Sequence, residues 1–239
     1  MIALSHSVSI EAGAGIQASI SDEDYQNNGA DIVSRDQALK SDLLLMVRPL
    51  SEKEITTLKP TQFLVGMLEP FNNELQNLLK KQGVSAFALE ALPRNTRAQS
   101  MDVLSSQANI AGYKAVILAA DYYKKFMPML MTAAGTVKAA KVIVLGAGVA
   151  GLQAVATAKR LGAVVEASDV RPSVQEQIES LGGKFIEVPF ETEEEKECAI
   201  GQGGYAKPMP KSWLTRQSKI VAEKAISADI IITSALIPE

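Results

Sequence analysis

Between Ser7 and Leu92, short apolar runs rich in strand-forming residues alternate with polar stretches of helical character. The apolar runs are SVSIEAGAG, GADIVS, LLLMVRP, TQFLVGML and VSAFALEAL, and between them fall DEDYQNNG, SEKEITTLK and NNELQNLLKKQG. This alternation predicts βα units feeding a mostly parallel sheet. Pro93 closes the last strand. Asn95 or Thr96 can then cap a helix whose apolar positions, Met101, Leu104, Ala108, Ala111 and Ala115, recur at spacings of three and four and carry it to about Tyr123. We read it as a spacer joining two lobes.

The second lobe follows FMPMLMTAAGTVKAA. KVIVLG predicts a buried strand, VAGLQAVATAKRLG a helix, AVVEASDV a second strand, and SVQEQIESLGG a helix capped by Ser173 and stopped at Gly182. KFIEVPF is the third strand. The acidic and glycine-rich ETEEEKECAIGQGGYAKPMP reads as a solvated loop, leading to the helix SWLTRQSKIVAEKAIS and a fourth strand, ADIIITSAL. The expected organisation is an N-terminal α/β lobe over 1–95, a linking helix over 96–126 and a second lobe over 127–239.

VLGAGVAG sets Gly146, Gly148 and Gly151 in G-x-G-x-x-G spacing, after a strand and at the opening of a helix. The first glycine permits the tight turn, the second lets backbone approach a pyrophosphate, and the third allows close packing of helix on sheet. Free N–H groups at the helix start, at Val149, Ala150 and Gly151, and its positive dipole end suit phosphate. Asp169 ends the second strand at about the 20-residue spacing where an acid accepts from a ribose hydroxyl, with Val170 and Arg171 beside it. A carboxylate there repels a 2′-phosphate, so NAD(H) is expected over NADP(H), although Arg171 could accommodate that phosphate. These glycines could also serve a strand-to-helix turn alone.

Composition narrows the picture. A net charge of −3 with both signs interspersed gives no electrostatic reason to expect nucleic acid or an anionic membrane as partner. The longest mid-chain apolar run, AVILAA, lies between Lys114 and Asp121, far short of the roughly 20 residues that span a bilayer. Any membrane association is therefore expected through a partner, with no direct insertion. One cysteine, Cys198, leaves no internal disulfide. No metal-ligand set is expected.

The remaining signal is RNTRAQSMDVLSSQANIAGYKAV, which crowds hydrogen-bonding side chains ahead of an apolar helical run. Asp102 and Ser105 could be helix-start caps, but caps alone leave that density unexplained. This segment and VLGAGVAGLQAVATAKRLGA together resemble domain I, the NAD(H)-binding component of proton-translocating nicotinamide nucleotide transhydrogenase, a relative of alanine dehydrogenase. EAGAGIQASISDEDYQNNGADI, GGYAK and TSALIP extend the likeness over nearly the whole chain. The resemblance implies an α/β fold of two Rossmann-like parallel-sheet lobes joined by a long helix. It also implies NADH bound here and hydride passed to NADP+ on a partner domain or beta subunit, coupled to proton movement through a membrane domain.

On that resemblance Arg94, Gln99 and Asp102, with Ser105 one turn further on, contact the nicotinamide nucleotide. Gly204, Tyr205 and Ala206 belong to a loop that closes over it. A homodimer is implied, for which FMPMLMTAAGTVKAA is an apolar candidate, as is a peripheral location on the cytoplasmic or matrix-like face of an energy-transducing membrane. Direct hydride exchange between nicotinamides releases no proton at the reacting carbon, so the site needs orientation rather than a general base.

Alanine dehydrogenase chemistry does need proton transfer, through a histidine and a lysine of the first lobe. Alignment leaves Leu68 at the histidine position and Val47, beside Arg48, at the lysine position, while the one histidine, His6, stands near the terminus. The family also begins one strand and helix earlier and continues past TSALIP, and doubly wound domains commonly have six strands where four are counted here. A truncated second lobe is therefore expected, and a catalytically incomplete nucleotide-binding fragment is the alternative function.

Overall fold

The computed structural model describes residues 1–93, 95–200 and 207–235, which divide into two compact units, Met1–Val103 and Leu104–Glu239. The first contains β1 (Ser9–Glu11), α1 (Asp22–Asn27), β2 (Asp31–Val33), α2 (Arg35–Ala38), β3 (Leu43–Met46), α3 (Glu52–Ile55), β4 (Phe63–Gly66), α4 (Asn73–Gln82) and β5 (Ser85–Ala88). Serine boxes start α1 and α3: Ser21 and Ser51 each accept from the N–H three residues on, while Asp24 and Glu54 reach back to the serine N–H. The sequence pattern passed over α2.

All strand pairs in this unit are parallel, as the alternation predicts, but the strands do not join in one sheet. β1 pairs with β2, and β3, β4 and β5 form a separate three-stranded sheet in that order. Leu44 and Leu64 turn into a core with Leu50, Ile55, Leu58, Leu68 and Leu79. Alternate residues face the other way, and there Leu43, Leu45, Phe63 and Phe87 are exposed, with the two rings stacked at 6.4 Å.

The long helix is α5 (Val103–Tyr123). It begins well after Asn95, because residues 95–98 form a turn in which the Asn95 side chain accepts from the Ala98 N–H (3.0 Å), followed by a single 3-10 turn at Gln99–Met101. Of the apolar spacing, Leu104, Ala108 and Ala115 are half-buried, with Ala115 packed against the core, while Ala111 is exposed; the buried residues of the helix are Gly112 and Val116.

Next come an antiparallel hairpin, β6 (Leu130–Thr132) and β7 (Gly135–Val137), which the pattern did not predict, and then β8 (Lys141–Leu145), α6 (Val149–Arg160), β9 (Val164–Ser168), α7 (Gln175–Ser180), β10 (Lys184–Phe185), α8 (Glu193–Ile200), α9 (Lys211–Ala225) and β11 (Ile230–Thr233). The last four strands form one parallel sheet in the order β10-β9-β8-β11. Val142, Val144, Val165, Ala167, Ile230 and Ile232 of this sheet pack with Ala154, Val155 and Ala158 of α6, all nearly inaccessible. Burial of each valine stabilises the fold by about 1.5 kcal/mol or more.

Two local readings are corrected. Ser173 lies in a 3-10 turn, Pro172–Val174, and α7 starts after Val174 without a side-chain cap. The acidic run is not a solvated loop: it contains α8, and Glu195 is 1% exposed. Its carboxylate accepts from the Glu191 N–H (2.8 Å), Arg216 Nη2 (2.6 Å) and Ser212 Oγ (3.0 Å), tying α8 to α9. The Glu191 bond first, then Arg216 and Ser212, hold that carboxyl below the usual range against the effect of burial.

Candidate functional site

β8 stands between β9, which continues the sheet to β10, and β11 on its other side. The carboxyl ends of β8 and β11 therefore form a topological switch point, where open parallel sheets place their ligand crevice. The glycine turn leaves β8 at that point. Gly146 has φ of +95°, a left-handed conformation costly for any residue with a Cβ, and a Cβ here would meet the Ala235 nitrogen at 2.7 Å. The Gly146 carbonyl accepts from Ser234 Oγ (2.9 Å), so the end of β11 braces the turn.

Gly151 and Gly148 act differently. A Cβ at Gly151 would lie 1.8 Å from the Gly146 carbonyl oxygen, so only glycine lets α6 fold back against the turn. Among the described residues a Cβ at Gly148 would meet nothing within 4 Å, and the backbone there is extended, with φ −72° and ψ −168°. The space before Gly148 is open to a ligand. The first helical bond at this end of α6 runs from the Leu152 N–H to the Gly148 carbonyl (2.9 Å), and no side chain among the described residues caps the helix. Val149, Ala150 and Gly151 thus present N–H groups at the positive end of a helix dipole, the donor set a diphosphate needs.

Asp169 follows β9 and is bound to that turn. Its Oδ2 accepts from the Ala147 N–H at 2.7 Å, and its Oδ1 accepts from the Arg171 N–H at 2.9 Å. The Arg171 guanidinium adds two bonds, Nε to Oδ1 (2.9 Å) and Nη2 to Oδ2 (3.0 Å). Burial pushes the Asp169 carboxyl up. The bonds from the guanidinium and from the N–H groups of Arg171 and Ala147 outweigh burial and hold it below its ordinary value, so it is ionised at neutral pH. Val170 is half-buried.

A further contributor was not singled out from the sequence. A Cβ on Gly112 of α5 would lie 2.1 Å from the Ala150 carbonyl oxygen, so α5 runs backbone to backbone against the start of α6. A glycine inside a helical pattern is the signal that could have found it. Ser105 lies seven residues earlier on the same helix face, half-buried and not without a partner, about 10 Å along the axis. Asp102, half-buried and likewise not without a partner, directly precedes α5, and Gln99 is exposed on the 3-10 turn before it. Arg94, Gly204, Tyr205 and Ala206 lie outside the described residues.

The structure thus brings Gly146, Gly148, Val149, Ala150, Gly151, Asp169, Val170 and Arg171 to one end of one sheet. An ionised acid bonded to a glycine turn, beside an uncapped helix start, can hold a ribose hydroxyl and a diphosphate together. These residues fit a dinucleotide.

Comparison with known proteins agrees with this geometry. The description "Alanine dehydrogenase/PNT, N-terminal domain" matches residues 1–111, and "Alanine dehydrogenase/PNT, C-terminal domain" matches residues 115–239. The chain is 47% identical to an NAD(P) transhydrogenase subunit alpha protein of Rhodospirillum rubrum, over 100% of this chain and 63% of that one. It is 44% identical to NAD(P) transhydrogenase subunit alpha of Cereibacter sphaeroides, over 98% of this chain and 45% of that one. Among solved structures, transhydrogenase from Sinorhizobium meliloti superposes with a TM-score of 0.83 at 45% identity, covering 99% of this chain and 63% of that one. The chain therefore spans less than two thirds of the length of these relatives. Among the described residues no helix is long and apolar enough to cross a membrane. With an α/β fold, a glycine turn at the switch point and matches to both halves, the chain belongs to the alanine dehydrogenase/PNT family.

Proposed function

We propose that this chain is the NAD(H)-binding component of a proton-translocating NAD(P) transhydrogenase, which presents NADH for hydride transfer to NADP+ on a partner domain or beta subunit. The observation that carries the reading is the 2.7 Å bond from the Ala147 N–H to Asp169, which sets a ribose acceptor at a fixed place relative to the N–H groups opening α6. The names of the relatives support the reaction class. When bound, the dinucleotide supplies the hydride. The chain's own work is binding and orientation: Gly148 admits the diphosphate, Val149, Ala150 and Gly151 donate to it, and Asp169 accepts from the ribose and disfavours a 2′-phosphate. Arg94, Gln99, Asp102 and Ser105 are assigned to the nicotinamide end, and Gly204, Tyr205 and Ala206 to a loop over the cofactor. The partners are the membrane domain and the NADP(H)-binding domain, with this chain peripheral on the cytoplasmic or matrix-like face.

Calorimetric titration tests the reading. NADH is expected to bind saturably and more tightly than NADPH, and Asp169→Ala to weaken NADH roughly tenfold or more, the loss of a charge-assisted pair of bonds. Hydride transfer to an NADP+ analogue is expected only after the NADP(H)-binding partner is added. Saturable binding that Asp169→Ala leaves untouched would overturn the assignment.

The hairpin supports the homodimer. β6 and β7 form a two-stranded ribbon, and such ribbons are marginal in water on their own. Here Met129 and Met131 are exposed at 60% and 81%, near exposed Phe126 in the chain. A second copy is the proposed cover. Sedimentation equilibrium is expected to show a dimer that Met131→Asp shifts toward monomer; a wild-type chain monomeric at all concentrations refutes this.

A further inference from the structure

Asp169 has more partners than a waiting ribose acceptor needs. A carboxylate offers four lone-pair sites, two on each oxygen. All four are taken by protein donors here. Oδ1 accepts from the Arg171 N–H and Nε, and Oδ2 accepts from the Ala147 N–H and Arg171 Nη2. The two backbone donors are fixed, one in the glycine turn and the other two residues after the acid. The guanidinium stands on a rotatable stem, and the Arg171 side chain is 23% exposed, against 7% for the Asp169 side chain.

We propose that Arg171 is a positioning and specificity residue whose guanidinium holds, on Asp169, the two acceptor sites that a ribose diol takes, so that the dinucleotide binds by exchanging its two hydroxyls for that fork. The proposal rests on the dinucleotide reading above and goes beyond it. The stereochemistry matches: the fork delivers one N–H to each oxygen, and a vicinal diol delivers one O–H to each. The backbone bonds persist through the exchange, so the carboxylate keeps its orientation while the guanidinium turns outward. Arg171 therefore preorganises Asp169 and competes with the ligand for it. A 2′-phosphate changes the exchange, because it cannot donate to Asp169 and its charge favours the neighbouring guanidinium.

The sign of the effect follows. Removing the guanidinium leaves Asp169 less satisfied in the free protein and removes the competitor, so a diol donor gains. Titration of the full chain with NADH and with NADPH is the test. Arg171→Met keeps the apolar stem and is expected to tighten NADH by roughly threefold to tenfold while NADPH does not gain, consistent with loss of a partly exposed ion pair. Arg171→Lys cannot fork and is expected to fall between wild type and Arg171→Met; it carries the test if the methionine variant does not fold. NADH affinity unchanged or weakened in these variants, or an equal gain for both dinucleotides, overturns the exchange. If wild type binds and Asp169→Ala does not, such a result removes the Arg171 inference alone. If wild type itself does not bind NADH, the dinucleotide reading fails beneath it.

Discussion

Gly148→Val is expected to lower NADH affinity by about a hundredfold or more while leaving the fold nearly as stable as wild type. The backbone at this position is extended, a conformation valine adopts readily, and an added Cβ meets nothing within 4 Å among the described residues. The cost to the protein is therefore confined to a poorer residue at the start of α6, within about 1 kcal/mol. The side chain projects into the space a diphosphate must enter to reach the first-turn N–H groups, so binding bears the loss. Titration calorimetry paired with thermal denaturation reads both halves. Undiminished NADH binding by a folded Gly148→Val protein would place the diphosphate elsewhere.

Gly112→Ala is expected to do the reverse, damaging the fold first. In an isolated helix alanine is favoured over glycine by about 1 kcal/mol, so propensity alone predicts a gain. Packing decides otherwise: the new Cβ would sit 2.1 Å from the Ala150 carbonyl oxygen and 2.9 Å from its carbon, and neither is a flexible side-chain end. Helix α5 or the start of α6 has to move, at a cost of about 2–4 kcal/mol. The expected reading is a melting temperature lower by roughly 5–10 °C, with NADH affinity falling because the N–H groups at the α6 start shift with their helix. A Gly112→Ala protein as stable as wild type would show that the two backbones do not meet.

These glycines mark how far the sequence could be read. The spacing of Gly146, Gly148 and Gly151 identifies the turn and the part each glycine plays in it, since strand, turn and helix are contiguous, but it does not give the atoms each one faces. Gly151 faces the Gly146 carbonyl, while among the described residues a Cβ at Gly148 has no atom within 4 Å, and these contacts are set by how the helix lies on the sheet. Glu195 shows the same limit. In a run of acids it looks solvated, and its burial depends on Arg216 and Ser212 arriving from α9. The alternation over Ser7 to Leu92 located the five strands of the first unit, yet not their division into β1-β2 and β3-β4-β5, because strand propensity is local and pairing is not.

What the residues by themselves determined is the α/β class, the parallel strands, the glycine turn between strand and helix, and Asp169 as the acid beyond the second strand of its lobe. Each depends on side chains a few positions apart, or on a spacing set by one strand and one helix. Only the tertiary structure decided that Asp169 is bonded to Ala147 and doubly to the Arg171 guanidinium, that Ser234 braces Gly146, and that Gly112 presses on Ala150. Except for the Arg171 fork, these are meetings between distant parts of the chain. In the fork, which rotamer an arginine adopts depends on the carboxylate and backbone donors packed around it, and no one-dimensional pattern carries that information.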